Sequence, residues 1–309
     1  VVDDIDYLVV THAHNDHVGA LDKLISEGFV GTILWSKDTQ KLAKLMVVDA
    51  LKIKYNTKFD DELPEDWENW AEFMKDHYRT ENLTKPFTAA REEILEHIST
   101  NSKEINLREP FPLPDTDITV EFFNQSHIKG STSVRFEWDN EITANERCSI
   151  IFSGDVGVIF EDNPFAADFN GVNDPWTKSN HIVIESTYGD KTREEKFKSE
   201  KNRLQDLRDI MIRAKSDKHL LIVPVFALDR LQRVLLDIMT IINDEDVPEI
   251  GEHTHVQFGA PNNANTLGDG ISEVYYEHRL DIPWESHPCF SREAPLTQGD
   301  LRIIVGTSG

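Results

Sequence analysis

The chain is short of positive charge, of cysteine and of long apolar runs, and each shortage excludes something. Its 32 Lys and Arg stand against 56 Asp and Glu, a formal charge of −24 with a pI near 4.8. Sequence-independent binding of a polyanion over a broad surface rests on Lys and Arg neutralising phosphates, so that class is disfavoured; a local groove or a metal-centred site is not. Two cysteines, Cys148 and Cys289, are too few for a disulfide scaffold or a Cys₄ zinc site. They read as reduced thiols of a cytoplasmic protein. The longest apolar run, Leu220 to Leu228, is nine residues with a proline inside, against the ~20 that span a bilayer. No membrane segment, signal peptide, repeat or low-complexity tract is expected. With 309 residues, 39% of them hydrophobic, the chain is long enough for a real core and for two domains. It starts without Met, inside what reads as a strand, and is expected to be a fragment.

What is present falls into three patterns. Tyr7-Leu8-Val9-Val10 reads as a short buried strand ending in a His-rich turn, followed by a helix near Val18 to Glu27 that Gly28 stops. Thr32 to Trp35 is the next strand. Leu42, Leu45, Met46 and Ala50 then carry a helix from Asp38 to about Tyr55. Residues 56–110 read as helical and acidic, with Trp67, Trp70, Phe73, Met74 and His77 as a core-facing stripe. From Ile118 to Phe152 the period becomes two, which predicts antiparallel sheet with a hairpin loop over 140–147. After Ile184, helices alternate with strands at Leu220–Val225, His255–Phe258 and Leu301–Val305. That alternation predicts a parallel α/β unit.

The chemistry concentrates in Thr11-His12-Ala13-His14-Asn15-Asp16-His17, three imidazoles and a carboxylate just after a strand. In so compact a turn His12 and His14 can project together while Asp16 and His17 point to a neighbouring centre. Imidazole nitrogen suits zinc, and a carboxylate can join it. The alternative is a polar loop whose histidines meet solvent. Two later strand ends offer further ligands: His127 in Ser126-His127-Ile128-Lys129-Gly130-Ser131, and Asp155 in Ser153-Gly154-Asp155. Each sits beside a glycine, where backbone can approach closely.

In its order, His-x-His-x-Asp-His, then His127, then Ser-Gly-Asp155 resembles the metallo-β-lactamase signature. The resemblance implies a zinc held by His12, His14 and His127, a second held by Asp16 and His17, and Asp155 between them. Two metals ~3.5–4 Å apart would clamp the attacking and leaving oxygens of an in-line displacement. The second half narrows the branch. Ile182-Val183-Ile184-Glu185-Ser186-Thr187-Tyr188-Gly189 resembles motif A of the β-CASP nucleases. Val223-Pro224-Val225-Phe226-Ala227-Leu228-Asp229-Arg230-Leu231-Gln232 is similar to the Pro-x-Phe-Ala-x-Gly-Arg-x-Gln stretch of that group. Val305-Gly306-Thr307-Ser308-Gly309 is similar to the start of its Ser-Gly-Met turn. Glu-Ser-Thr-Tyr-Gly points to the RNA-processing branch, that of the pre-mRNA 3′-end cleavage endonuclease and its prokaryotic relatives.

The implied fold class is α/β: a partial metallo-β-lactamase αββα sandwich over residues 1–184, its N-terminal strands missing, and an inserted parallel α/β β-CASP domain over 185–309, cut short at its end. The implied function is zinc-dependent hydrolysis of single-stranded RNA with two Zn²⁺. Asp16 and Glu185 are the catalytic carboxylates, with Arg230, Ser308 and Gly309 contacting the substrate. Glu185 would orient a general-acid histidine that the family places beyond Gly309, so the fragment alone is expected to be inactive. A homodimer or a subunit of a processing complex is the expected assembly. Rival readings are a small-molecule hydrolase of the same fold, a DNA nuclease and a non-catalytic scaffold. Asp229 departs from the family glycine and would add an acid beside an RNA-facing region.

Overall fold

The computed structural model describes residues 2–56, 87–140, 146–157, 178–192, 200–246, 250, 254–258, 267–277, 281–291 and 301–307. They form two compact units. One runs from the N-terminus to Gly157 and includes the segment that ends at Glu185; the described residues from Ser186 onward belong to the other.

In the first unit, strands β1 (Tyr7–Val9), β2 (Thr32–Trp35) and β3 (Ser102–Glu104) make a parallel sheet in that order. A second sheet runs β4 (Phe111–Pro112), β5 (Thr119–Asn124), β6 (Thr132–Asp139), β7 (Arg147–Phe152) and β8 (His181–Val183). It is antiparallel except for the last pair, β7 with β8, which is parallel. The two sheets share one core. Leu34 of β2 meets Val120 and Phe122 of β5 and Val134 of β6, with Ile105 and Leu113 from the connections. The alternation expected over 118–138 is what points these side chains inward, because successive strand residues face opposite sides. Burying each such side chain contributes roughly 1.5–3 kcal/mol. Helices α3 (Lys37–Asn56) and α4 (Phe87–Thr100) pack on one another, with Leu42, Ile94 and Ile98 buried.

Two expectations are corrected here. The helix expected at 18–27 is two: α1 (Asn15–Val18) and α2 (Leu21–Ser26). Gly19 closes the first through its N–H to the Asn15 carbonyl at 2.6 Å. The span 56–110 is not helical throughout, since β3 and the end of β2 pair in register, Ile33 with Ser102 through Trp35 with Glu104. Ser102-Lys103-Glu104 has no apolar periodicity, so only its partner makes it a strand. The Trp67–His77 stripe lies outside the described residues.

The second unit is a four-stranded, all-parallel sheet in the order β11 (Phe290–Ser291), β10 (Thr254–Phe258), β12 (Leu301–Thr307), β9 (Leu220–Val225). Helix α5 (Glu200–Ser216) precedes β9, α6 (Arg230–Ile242) follows it, and α7 (Leu267–Tyr276) follows β10. The apolar stripe of α6 buries Leu231, Leu235, Ile238, Ile241 and Ile242 with Val256, Ile303 and Val305 of the sheet. Among the described residues no helix is long and apolar enough to cross a membrane.

Candidate metal centre

The local fold converts a dense sequence motif into a converging one. β1 ends at Val9, and the backbone stays extended through His14, whose carbonyl accepts from the N–H groups of His17 and Val18 as α1 begins. His12 is 1% exposed and Ala13 fully buried, so the strand end is sunk into the unit while Asp16 and His17 ride outward on α1.

His127 arrives on the loop from β5 to β6, which is tied at several points. Ser131 Oγ donates to the Gln125 and Ile128 carbonyls and accepts from the Ile128 N–H. At the far end of the loop Gly130 has φ +80°, and its carbonyl accepts from Ser36 Oγ and Thr39 Oγ1, both at 2.7 Å. The Thr132 N–H donates to the Thr11 carbonyl at 2.9 Å, which joins this loop to the His12 strand end.

Asp155 arrives after β7, flanked by glycines that allow contact on both sides. Gly154 has φ +58°, and a side chain there would meet the Thr132 carbonyl and Thr11. A Cβ at Gly157 would lie 2.2 Å from the Ser126 carbonyl oxygen and 2.4 Å from the His127 nitrogen.

The result is two clusters of ligand-type side chains, His12, His14, His127 and Asp155 in one, Asp16, His17 and Asp155 in the other. Asp155 Oδ2 lies 3.6 Å from His12 Nε2 and 3.4 Å from His127 Nε2, and its Oδ1 lies 3.3 Å from His17 Nε2. His127 Nε2 is 2.9 Å from His14 Nδ1, and His17 Nε2 is 3.7 Å from Asp16 Oδ2. Tetrahedral ligands on bonds of 2.0–2.1 Å stand about 3.3 Å apart, a value these separations bracket. A second observation fits the same occupant. The Nε2 of buried His12 has no hydrogen-bond partner, while its Nδ1 faces Thr11 Oγ1 at 3.2 Å. An orphaned buried nitrogen is costly unless something takes its lone pair. The cluster can therefore hold a metal ion.

Electrostatics point the same way. Burial, and then the nearby His17, His14 and His127, push the His12 imidazole down to about 2 from its ordinary 6.5. It stays neutral, as a ligand must. The sign of the linkage follows. With a folded value below the unfolded one, the neutral ring's contribution is present above pH 6.5 and is lost as pH falls toward 2. The metal-free protein is expected to lose up to about 1.4 kcal/mol per pH unit below 6.5 from this residue. Urea unfolding at pH 7, 6 and 5 in chelator measures it, and His12→Ala should flatten the slope; an unchanged slope would assign it elsewhere.

The other expected site residues separate. Glu185 ends in the same unit, its Oε1 accepting from the Val156 N–H at 2.8 Å. Arg230, 57% exposed, opens α6 and pairs through Nη1 with Asp229 Oδ2 at 3.1 Å. Ser308 and Gly309 lie outside the described residues. Asp229 does not acidify a surface, which corrects the expectation. It is 2% exposed, with Arg233 and the Tyr275 hydroxyl also on its carboxylate. Its backbone has φ 71° and ψ −53°, and the Arg230 N–H donates to the Leu228 carbonyl across it. This is a strained γ-turn that favours glycine, at a cost of about 1–3 kcal/mol in other residues. The charged contacts offset that strain. Sequence reasoning missed Thr11, Ser153 and Gly157; a glycine two residues beyond a candidate ligand was the one available signal.

Residues 2–75 match the metallo-beta-lactamase superfamily. "Probable RNase MJ4" of Methanocaldococcus jannaschii is 26% identical over 246 residues, 79% of this chain and 46% of that protein. "Ribonuclease TTHA0252" of Thermus thermophilus is 24% identical, covering 77% of this chain and 43% of that one. An "RNase J-like protein" of M. jannaschii is 26% identical across all of this chain and 62% of its own. The chain thus spans about half the length of the first curated relatives it matches. Among solved structures, a subclass B3 metallo-beta-lactamase from a soil metagenome aligns over 54% of this chain and 46% of its own, with 14% identity and a TM-score of 0.26.

Proposed function

We infer, for a chain that belongs to the metallo-β-lactamase superfamily and has β-CASP ribonucleases as distant homologues, that it is the site-bearing part of a zinc-dependent ribonuclease acting on single-stranded RNA. The observation that carries the reading is Asp155, whose two oxygens face the two clusters. A shared carboxylate is what a two-metal phosphodiesterase needs. Two zinc ions bound there, one among His12, His14 and His127 and one between Asp16 and His17, would supply Lewis-acid activation of water and of the scissile phosphate.

The chain's own residues do the rest. Neutral His12 leaves its Nε2 lone pair available. Asp16, 76% exposed at the rim, would help hold one zinc and steer the proton of the attacking water. Glu185 would orient the general-acid histidine that the family places beyond Gly309 and that protonates the leaving oxygen. Arg230 offers the exposed guanidinium for a phosphate, with Ser308 and Gly309 as further contacts. Without metal the site is anionic, Asp16 and Asp155 contributing a negative charge each. RNA therefore binds productively only after the cations do, and a formal net charge of −24 leaves affinity to the site itself. Cys148 and Cys289 are not joined in a disulfide, in keeping with a cytoplasmic setting.

The test is cleavage of matched end-labelled RNA and DNA single strands by the chain and by its full gene product, before and after chelation. From the full gene product, cleavage of RNA at least about tenfold faster than DNA, abolished by chelator and restored by Zn²⁺, is expected. Hydrolysis of nitrophenyl esters or lactones with no phosphodiesterase activity would replace this reading with the small-molecule hydrolase.

A further inference from the structure

Asp155 belongs to both clusters, so whatever fixes its loop fixes the spacing of the whole site. Three hydrogen bonds do so from one place. β7 and β8 end side by side, Phe152 in register with Val183. The pairing continues past the strands: the Ser153 N–H donates to the Val183 carbonyl at 2.9 Å, and the Glu185 N–H donates to Ser153 Oγ at 3.1 Å. The third bond reverses direction. Glu185 Oε1 reaches back across the loop to accept from the Val156 N–H at 2.8 Å. The residues between Ser153 and Val156 are Gly154 and Asp155, so the Glu185 main chain holds one side of the loop and its side chain the other. Gly154 has the positive φ that lets the loop lie against Thr11, and Gly157 lies against Ser126 and His127. Glycines on both sides of Asp155 give the loop close contacts but also conformational freedom, which the carboxylate latch removes.

We propose that Glu185 is a positioning residue for Asp155, acting as a hydrogen-bond acceptor on the Val156 amide and not only through its charge. The proposal deepens the metal-site reading and rests on it. Groups that orient a metal ligand without touching the metal typically govern ten- to a hundredfold in affinity.

Three variants separate an acceptor from a charge. Glu185→Gln keeps an acceptor oxygen at the same reach and loses the charge. Glu185→Asp keeps the charge and withdraws it by one methylene. Glu185→Ala loses both. Two readouts apply: exchange of the Val156 amide with solvent deuterium in metal-free protein, and zinc affinity by competition with a chromogenic chelator. The latch predicts Val156 exchange about tenfold faster in the Asp and Ala variants, with zinc affinity about ten- to a hundredfold weaker. The Gln variant should stay within about threefold of the parent on both. Amides of β5 and β6 serve as the folding control. Val156 exchange unchanged in the Asp and Ala variants overturns the proposal, as does a Gln variant as impaired as Ala. If the parent binds no zinc, the metal reading fails by itself, and the exchange comparison still decides whether the latch exists.

Discussion

On the ribonuclease reading, replacing His12 by alanine in the full-length protein is expected to empty the first cluster of metal and to lower RNA cleavage by at least ~1000-fold. It should do so without destabilising the metal-free fold. The two halves come from one fact. The ring is 1% exposed and its Nε2 has no hydrogen-bond partner, so without metal it is a desolvated polar group whose removal relieves a penalty. Against that stands the cavity left by a ring, a cost of similar size. Thermal unfolding in chelator should therefore shift by only a few degrees in either direction. Activity has no such compensation. Lewis-acid stabilisation of a phosphoryl transfer is worth several kcal/mol, and each 1.36 kcal/mol is tenfold in rate. Elemental analysis after dialysis, single-turnover cleavage and a melting curve on the same preparation make the measurement. Cleavage within tenfold of the parent would sink the metal reading and bring the scaffold or small-molecule alternatives forward.

The site was legible where chemistry is dense along the chain and obscure where it depends on register. Four ligand-type residues within His12–His17 have few other reasons to share one turn, and the strand ahead of them is a plain apolar run. His127 and Asp155 were weak alone. Each becomes readable only together with the first cluster, and the glycine at which the loops of 126–131 and 153–157 approach main chain to main chain is Gly157, which the sequence does not single out. The Glu185 contact with Val156 spans 29 positions, and nothing local announces it. It exists because β7 and β8 pair in parallel with Phe152 opposite Val183, a register set by long-range packing. The strand β3 was hidden for the same reason, polar residues made into a strand by a buried neighbour. Asp229 shows the opposite case. A departure from glycine was visible in the sequence, but not that the new carboxylate would turn inward onto Arg233 and Tyr275. In the second unit the periodic helix Arg230–Ile242 and the strand Leu301–Thr307 are readable because burial dictates their patterns, whereas Leu220–Val225 is readable from its apolar run although Leu220 and Ile222 are exposed.

The same view of the site makes Gly157→Ala a severely damaging change at a residue that is not itself a ligand. An added Cβ there would stand 2.2 Å from the Ser126 carbonyl oxygen, 2.3 Å from its carbon and 2.4 Å from the His127 nitrogen. All three are backbone atoms, so no side chain can swing away. The loop of 126–131 cannot retreat either, since Gly130 is tied to Ser36 and Thr39, and Thr132 to Thr11. The strain must fall on the Asp155 loop, moving the shared carboxylate away from His127, which now lies 3.4 Å from its Oδ2. Overpacking of this kind costs roughly 1–3 kcal/mol in stability. On the two-zinc reading the loss in zinc affinity should be larger, about a hundredfold, because both clusters share the displaced group. Gly189→Ala is the matched control: its nearest contact would be the Ser186 carbonyl at 3.3 Å, which a small adjustment accommodates. Chelator competition and urea unfolding on the two variants test the contrast. Equal zinc affinity in both would mean that the loop of 153–157 is not braced against His127, and that Asp155 finds its place by following the metal.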